Sequence, residues 1–154
     1  MHLTQLTASA VPSRTLMSAS ERTKQFYRHL GLWVLQSWLA MFFIAAAVAK
    51  LGQPQDLLNI LLDWPERVDP AVVRYVGVAE LVLGAGLLAP VISWRWFRPV
   101  LLLSAAALLG ETLMMGAYHA ISGHPGLAVV NACLCSMTIA VLLGRRRHGG
   151  ETRA

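Results

Sequence analysis

Four long apolar runs, roughly 31–49, 75–92, 100–118 and 126–143, constrain this chain more than any other feature. A helix crossing about 30 Å of hydrocarbon needs about 20 residues, and each run approaches that length. Lipid offers no partner to an unpaired backbone group, so the runs are helices, and the alternating pattern of a barrel strand is absent. Composition agrees, with 56% of the 154 residues hydrophobic and 14% charged, against about 25% charged in a soluble domain. Cys133 and Cys135, the two cysteines, are too close in sequence to staple a fold. At 100° per residue they leave their helix on different sides and read as small packing residues. The sequence predicts an all-α, polytopic membrane protein, a bundle of four transmembrane helices over residues 30–145. The flanks 1–29 and 146–154 read as cytoplasmic tails, the first disordered and the second basic. Residues 1–29 are Ser/Thr-rich, basic and free of an apolar stretch, which argues against a cleaved leader.

The 13 Lys and Arg residues set the orientation. Ten fall in the first tail (Arg14, Arg22, Lys24, Arg28), the second connection (Arg95, Arg98) and the last tail (Arg145, Arg146, Arg147, Arg153). Lys50, Arg67 and Arg74 remain for the first connection, and the third has none. This alternation predicts both termini in the cytoplasm and a multi-pass protein of a bacterial-type inner membrane. It also accounts for the net charge of +5 without nucleic acid as a partner, because topogenic residues face anionic headgroups. Tyr27, Trp33, Tyr75, Trp94, Trp96 and Tyr118 fall where interfacial belts belong. Pro99 reads as a first-turn proline of the third helix. The long connection 51–73 holds an apolar stretch, 56–62, too short to span, which reads as an amphipathic helix on the outer face.

Ionisable residues within a span are costly, about 2.5–3.5 kcal/mol near its centre on insertion scales, and each needs a reason. Glu80 and Glu111 qualify. At 1.5 Å per residue Glu80 lies about 8 Å below Tyr75 and Glu111 about 10 Å below Tyr118, on helices of opposite direction. Lys50, Arg74 and His119 stand at the same end. One polar cluster is expected, lined by Lys50, Arg74, Glu80 and Glu111 and capped by Tyr118, His119 and the connection 51–73. Arg74, Gly77, Glu80, Leu81, Gly84 and Leu88 share one stripe of the second helix, with Gly77 and Gly84 permitting close packing. Ser104, Leu108, Glu111, Met115 and Tyr118 form a stripe on the third, with Ala107 at its edge. Ala45 and Ala49, on the side of Trp38 and Phe42, suggest a small-residue seam on the first. The cluster reads either as a structural ion-pair network or as a pocket that binds a polar ligand or moves a proton. His119 and His124 with Glu111 could hold a metal, but interfacial histidines are the commoner case and no metal is expected. Asn131 is expected to bond across helices. No nucleophile set, phosphate cradle, haem, iron–sulfur or flavin motif is visible, so no catalytic residue is assigned and no cofactor is evident.

Phe42-Phe43-Ile44 followed by Ala47-Val48-Ala49-Lys50-Leu51, and Val73-Arg74-Tyr75-Val76-Gly77-Val78-Ala79-Glu80-Leu81 continuing to Gly84-Ala85-Gly86-Leu87-Leu88-Ala89-Pro90, resemble the first and second helices of DoxX-like membrane proteins. The resemblance covers roughly 32–145, and its most specific element is Arg-x-x-Gly-x-x-Glu. Ala47 departs from the pattern, which places glycine there in many relatives. The resemblance implies a four-helix inner-membrane bundle and an association with quinone-linked or thiol redox systems. On that basis the expected function is an accessory subunit of a redox system, with a redox enzyme or further copies of the chain as partners and a quinone headgroup as ligand. In that role Lys50 or Arg74 would polarise a carbonyl oxygen, and Glu80 or Glu111 would relay the proton. The alternatives are a component of a proton-coupled small-molecule transporter and a purely structural membrane partner.

Overall fold

A computed structural model describes residues 18–147, and the tails 1–17 and 148–154, with Arg14 and Arg153, lie outside the described residues. The described residues form five helices and no strand: α1 (Ala19–Gly52), α2 (Gln55–Leu62), α3 (Pro70–Leu88), α4 (Trp94–Ile121) and α5 (Pro125–Arg147). Four of them, α1, α3, α4 and α5, are long and apolar enough to cross a membrane.

α1 starts well before the first apolar run, because Ser18 and Glu21 form a reciprocal capping box. The Ser18 hydroxyl accepts from the Glu21 amide at 3.2 Å, and the Glu21 carboxylate accepts from the Ser18 amide at 2.9 Å. Residues 19–29, expected as tail, are therefore helical and exposed. The 34 residues of α1 measure about 51 Å, well beyond the hydrocarbon thickness. At the other boundary α5 runs past residue 145 to Arg147. Asp69 caps α3 through the Ala71 amide at 2.7 Å, ahead of Pro70 at its first position. α4 begins at Trp94, so Pro99 lies inside the helix rather than in its first turn.

α1 packs closely on α3, and α4 on α5, while α1 and α5 meet less extensively. The tight α4–α5 turn uses Gly123 at φ +78°, a left-handed conformation that suits glycine. The α1–α3 contact depends on small residues. A Cβ at Gly77 would stand 3.0 Å from Lys50 Cβ and 3.3 Å from the Ala47 carbonyl oxygen, and one at Gly84 would stand 2.9 Å from Ile44 Cγ1. The close seam of α1 thus runs along Ala40, Ile44 and Ala47, whereas Ala45 is exposed. With Gly77 opposite, Ala47 still fits, fully buried.

The connection between α1 and α3 folds down onto the bundle. Leu58, Trp64 and Val73 are buried together with Leu62, Val76, Met115 and Tyr118 packed against them. Ile60 and Leu61 stay exposed on the far side of α2, so the segment is both an amphipathic helix and a lid. The main core, including Leu39, Phe43, Leu87, Leu101, Leu108 and Val141, fills the middle of the bundle.

Candidate functional site

Beneath the lid is a cavity of about 140 Å³, enclosed by α1, α3, α4, α5 and the lid itself. Lys50, near the end of α1, reaches across to α3 and donates to both carboxylate oxygens of Glu80, at 2.7 and 2.6 Å. Both residues are nearly closed to solvent, at 6% and 4% exposure. Such a pair requires full desolvation, and charge-assisted bonds to both oxygens are the geometry that offsets it. The Glu111 carboxyl, on α4, lies within hydrogen-bonding reach of Glu80 and feels the Lys50 charge. One ammonium faces two carboxyls, so the trio is neutral only when the acids share one proton. Lys50 carries three donors and uses two on Glu80, leaving one for the cavity.

Opposite the trio, His119 is buried at 4% exposure and lines the same cavity. Its Nδ1 has no hydrogen-bond partner among the described residues. A buried ring nitrogen left unpaired costs free energy. Asn131 and Thr112 complete the polar part of the wall, and Phe42, Phe43, Leu127 and Leu134 the apolar part. Asn131 bonds to the Leu127 carbonyl of its own helix at 2.9 Å rather than across helices. Thr112 accepts from the buried Cys135 thiol at 3.2 Å, while Cys133 is exposed and both cysteines are free.

Arg74 does not join the cluster. It is exposed, and its Nη1 donates to the Leu51 carbonyl at 3.2 Å. The last carbonyls of α1 have no helical partner, and a flexible arginine one turn into the neighbouring helix reaches them more readily than it enters a buried cavity where Lys50 already holds Glu80. Tyr118 stands above the cavity and holds the lid: its hydroxyl donates to Asp63 Oδ2 at 3.2 Å. The same oxygen lies 3.3 Å from His124 Nε2 and 3.6 Å from Arg67. Asp63 makes this junction from a left-handed backbone, φ +62°, where the chain turns sharply after α2. Among the described residues no three His, Cys, Asp or Glu side chains gather to hold a metal ion.

A second polar cluster sits at the opposite end of the bundle, and the sequence reading missed it. Arg145, taken as a headgroup-facing residue, is completely buried between the rings of Trp33 and Trp94, 4.8 Å from each centroid. Its Nε donates to Gln36 Oε1 at 3.0 Å, and Gln36 donates to the Leu87 carbonyl at 2.6 Å. The polar Gln36 within an otherwise apolar run was the available signal. Two tryptophans flanking a basic residue are equally a cation–π cage and an interfacial belt, and sequence does not distinguish them.

The DoxX-like family matches the chain over residues 34–141. The chain belongs to the DoxX-like family. That stretch takes in Lys50, Glu80, Glu111 and His119, and with four membrane-length helices it makes this DoxX-like chain a multi-pass membrane protein. No curated protein and no solved structure matches it.

Proposed function

We propose that this DoxX-like protein is an accessory subunit of a redox system that holds a quinone headgroup beneath its lid. The supporting observation is the cavity under the lid that Glu111, His119 and Lys50 line together, with one ammonium proton of Lys50 not used on Glu80. A quinone offers two carbonyl acceptors and, when reduced, two hydroxyl donors. Glu111 and His119 can each give or take a proton, and so can serve both forms. The Lys50–Glu80 pair has the separate role of holding α1 to α3, because its two short bonds leave Glu80 committed. Electrons would have to come from a partner, whose redox centre supplies the chemistry.

In this reading the protein sits in a bacterial-type inner membrane with both termini cytoplasmic and the lid on the other side. The distribution of Lys and Arg supports that orientation. The test is extraction of the protein from its own membrane in mild detergent, followed by native mass spectrometry and quinone assay. Quinone should copurify with the wild type and be lost in Glu111→Gln and His119→Phe at unchanged helical content. Absence of quinone from the wild type, or its retention in both variants, overturns the proposal. Retained cellular function in both variants would leave the cluster a structural network.

A further inference from the structure

The polar attachment of the lid is concentrated at one point. Its two helical pieces, α2 and the single turn Trp64–Arg67, pack chiefly on each other and touch the four spans lightly. Extended residues join them to the spans, Gln53 at ψ 151° on one side and Val68 at ψ 161° on the other. Neither α1 nor α3 therefore runs on into the lid. Apart from the apolar contacts of Leu58 and Trp64, the polar side-chain ties from residues 53–68 to the rest of the bundle, among the described residues, both end on Asp63 Oδ2. Tyr118 of α4 reaches it at 3.2 Å and His124, in the α4–α5 turn, at 3.3 Å. Asp63 makes that junction at φ 62° and ψ −51°, a conformation that a residue with a Cβ keeps only where its surroundings hold it. Leu62 and Trp64, on either side of Asp63, line the cavity, so release of this residue opens the site.

Of the groups that contact Asp63, histidine is the one whose charge changes within the physiological range of pH. The His124 side chain is 41% exposed and that of Asp63 25%, so both exchange protons with water. We propose that Asp63 and His124 form a pH-sensitive latch, in which proton uptake by His124 turns a neutral contact into an ion pair and holds the lid shut over the cavity. The inference rests on the proposed ligand site beneath the lid and adds its regulation. Protonated His124 gains a carboxylate partner only while the lid is closed, so closing favours the proton and the proton favours closing. The closed state is strengthened at low pH and loses that part of its stability as pH rises through the titration. Two neighbours temper the effect. Arg67, on the lid itself, stands 3.6 Å from the same oxygen and offsets part of the Asp63 charge. The His119 ring, 6.3 Å from that of His124, repels it when both are charged. Tyr118 donates to Asp63 as a neutral hydroxyl, and the first residues of α5, Pro125 to Ala128, carry no charge. The Arg67 side chain is 60% exposed and screened by water, so a net attraction remains, of the size of a partly exposed pair. With the lid on the extracytoplasmic face, the site responds to the acidity outside rather than to that of the cytoplasm.

Hydrogen–deuterium exchange of the lid amides, residues 55–67, tests the latch on the full chain in nanodiscs with no ligand added. Exchange is divided by the intrinsic rate at each pH to give protection, which is compared at about pH 5.5 and about pH 7.5, on either side of histidine titration. In the wild type, lid protection should rise about threefold on acidification, while the four spans change little. His124→Gln and Asp63→Asn should lose that rise at unchanged helical content. Asparagine accepts from Tyr118 and tolerates a positive φ, so the second variant still closes. Arg67→Gln should enlarge the rise, because His124 then has Asp63 to itself. A wild type that does not respond, a response that survives in His124→Gln or Asp63→Asn, or one no larger in Arg67→Gln overturns the latch. Quinone that copurifies beneath a pH-insensitive lid keeps the headgroup site and removes the latch. A responsive lid over a site that takes no quinone keeps the latch and removes the headgroup reading.

Discussion

At the scale of single residues, the buried charges divide into those that hold the bundle and those that face empty space. Lys50 and Glu80 satisfy each other through two short bonds, whereas Glu111 and His119 line the cavity without such a partner pair. Removing one member of a buried pair leaves an uncompensated group, while replacing both with neutral side chains of similar size can be nearly neutral. Lys50→Met should therefore lower stability by about 3–5 kcal/mol, and the Lys50→Met/Glu80→Gln double variant should recover most of it. Equilibrium unfolding in a mixed detergent series measures both. Strictly additive losses would mean that the two side chains do not depend on each other.

At the scale of helices, the contact between α1 and α3 is set by how closely two backbones approach. Gly84 faces Ile44 and the Ala40 carbonyl, while Gly110 on α4 faces open space. Gly84→Ala should cost about 1–3 kcal/mol, because Ile44 Cγ1 lies mid-chain against the helix and cannot simply swing away. Gly110→Ala should be neutral or stabilising by up to about 1 kcal/mol, since only helix propensity changes. Thermal unfolding of the two variants in the same detergent compares them directly, and equal stability would show that the α1–α3 contact is looser than described. The capping box at Ser18 and Glu21 belongs to the same scale. It lengthens α1 beyond its apolar part and places the exposed Tyr27 within the helix.

At the scale of the whole molecule, the two polar clusters occupy opposite ends of the bundle: the Lys50–Glu80–Glu111–His119 site under the lid, and Arg145 with Gln36, Trp33 and Trp94 at the other end. The positive-inside bias predicts that the Arg145 end faces the cytoplasm. In a Cys133→Ala/Cys135→Ala background, a cysteine at exposed Gln53 should react with an impermeant maleimide from outside intact cells. One at exposed Ser18 should react only after permeabilisation. The reverse pattern would invert the topology and put the lid on the cytoplasmic side.

What the sequence determined by itself is local: four spans from the length of apolar runs, a lid helix from a short one, and Glu80, Glu111, Gly77 and Gly84 on inward stripes from helical period. These follow from spacing along one helix, which the chain specifies residue by residue. The tertiary structure decided the pairings. Lys50 rather than Arg74 meets Glu80, because α1 and α3 touch at Gly77 and bring the Lys50 stem across, while Arg74 finds the open carbonyl of Leu51. Arg145 turns inward because Trp33 and Trp94 converge from two other helices.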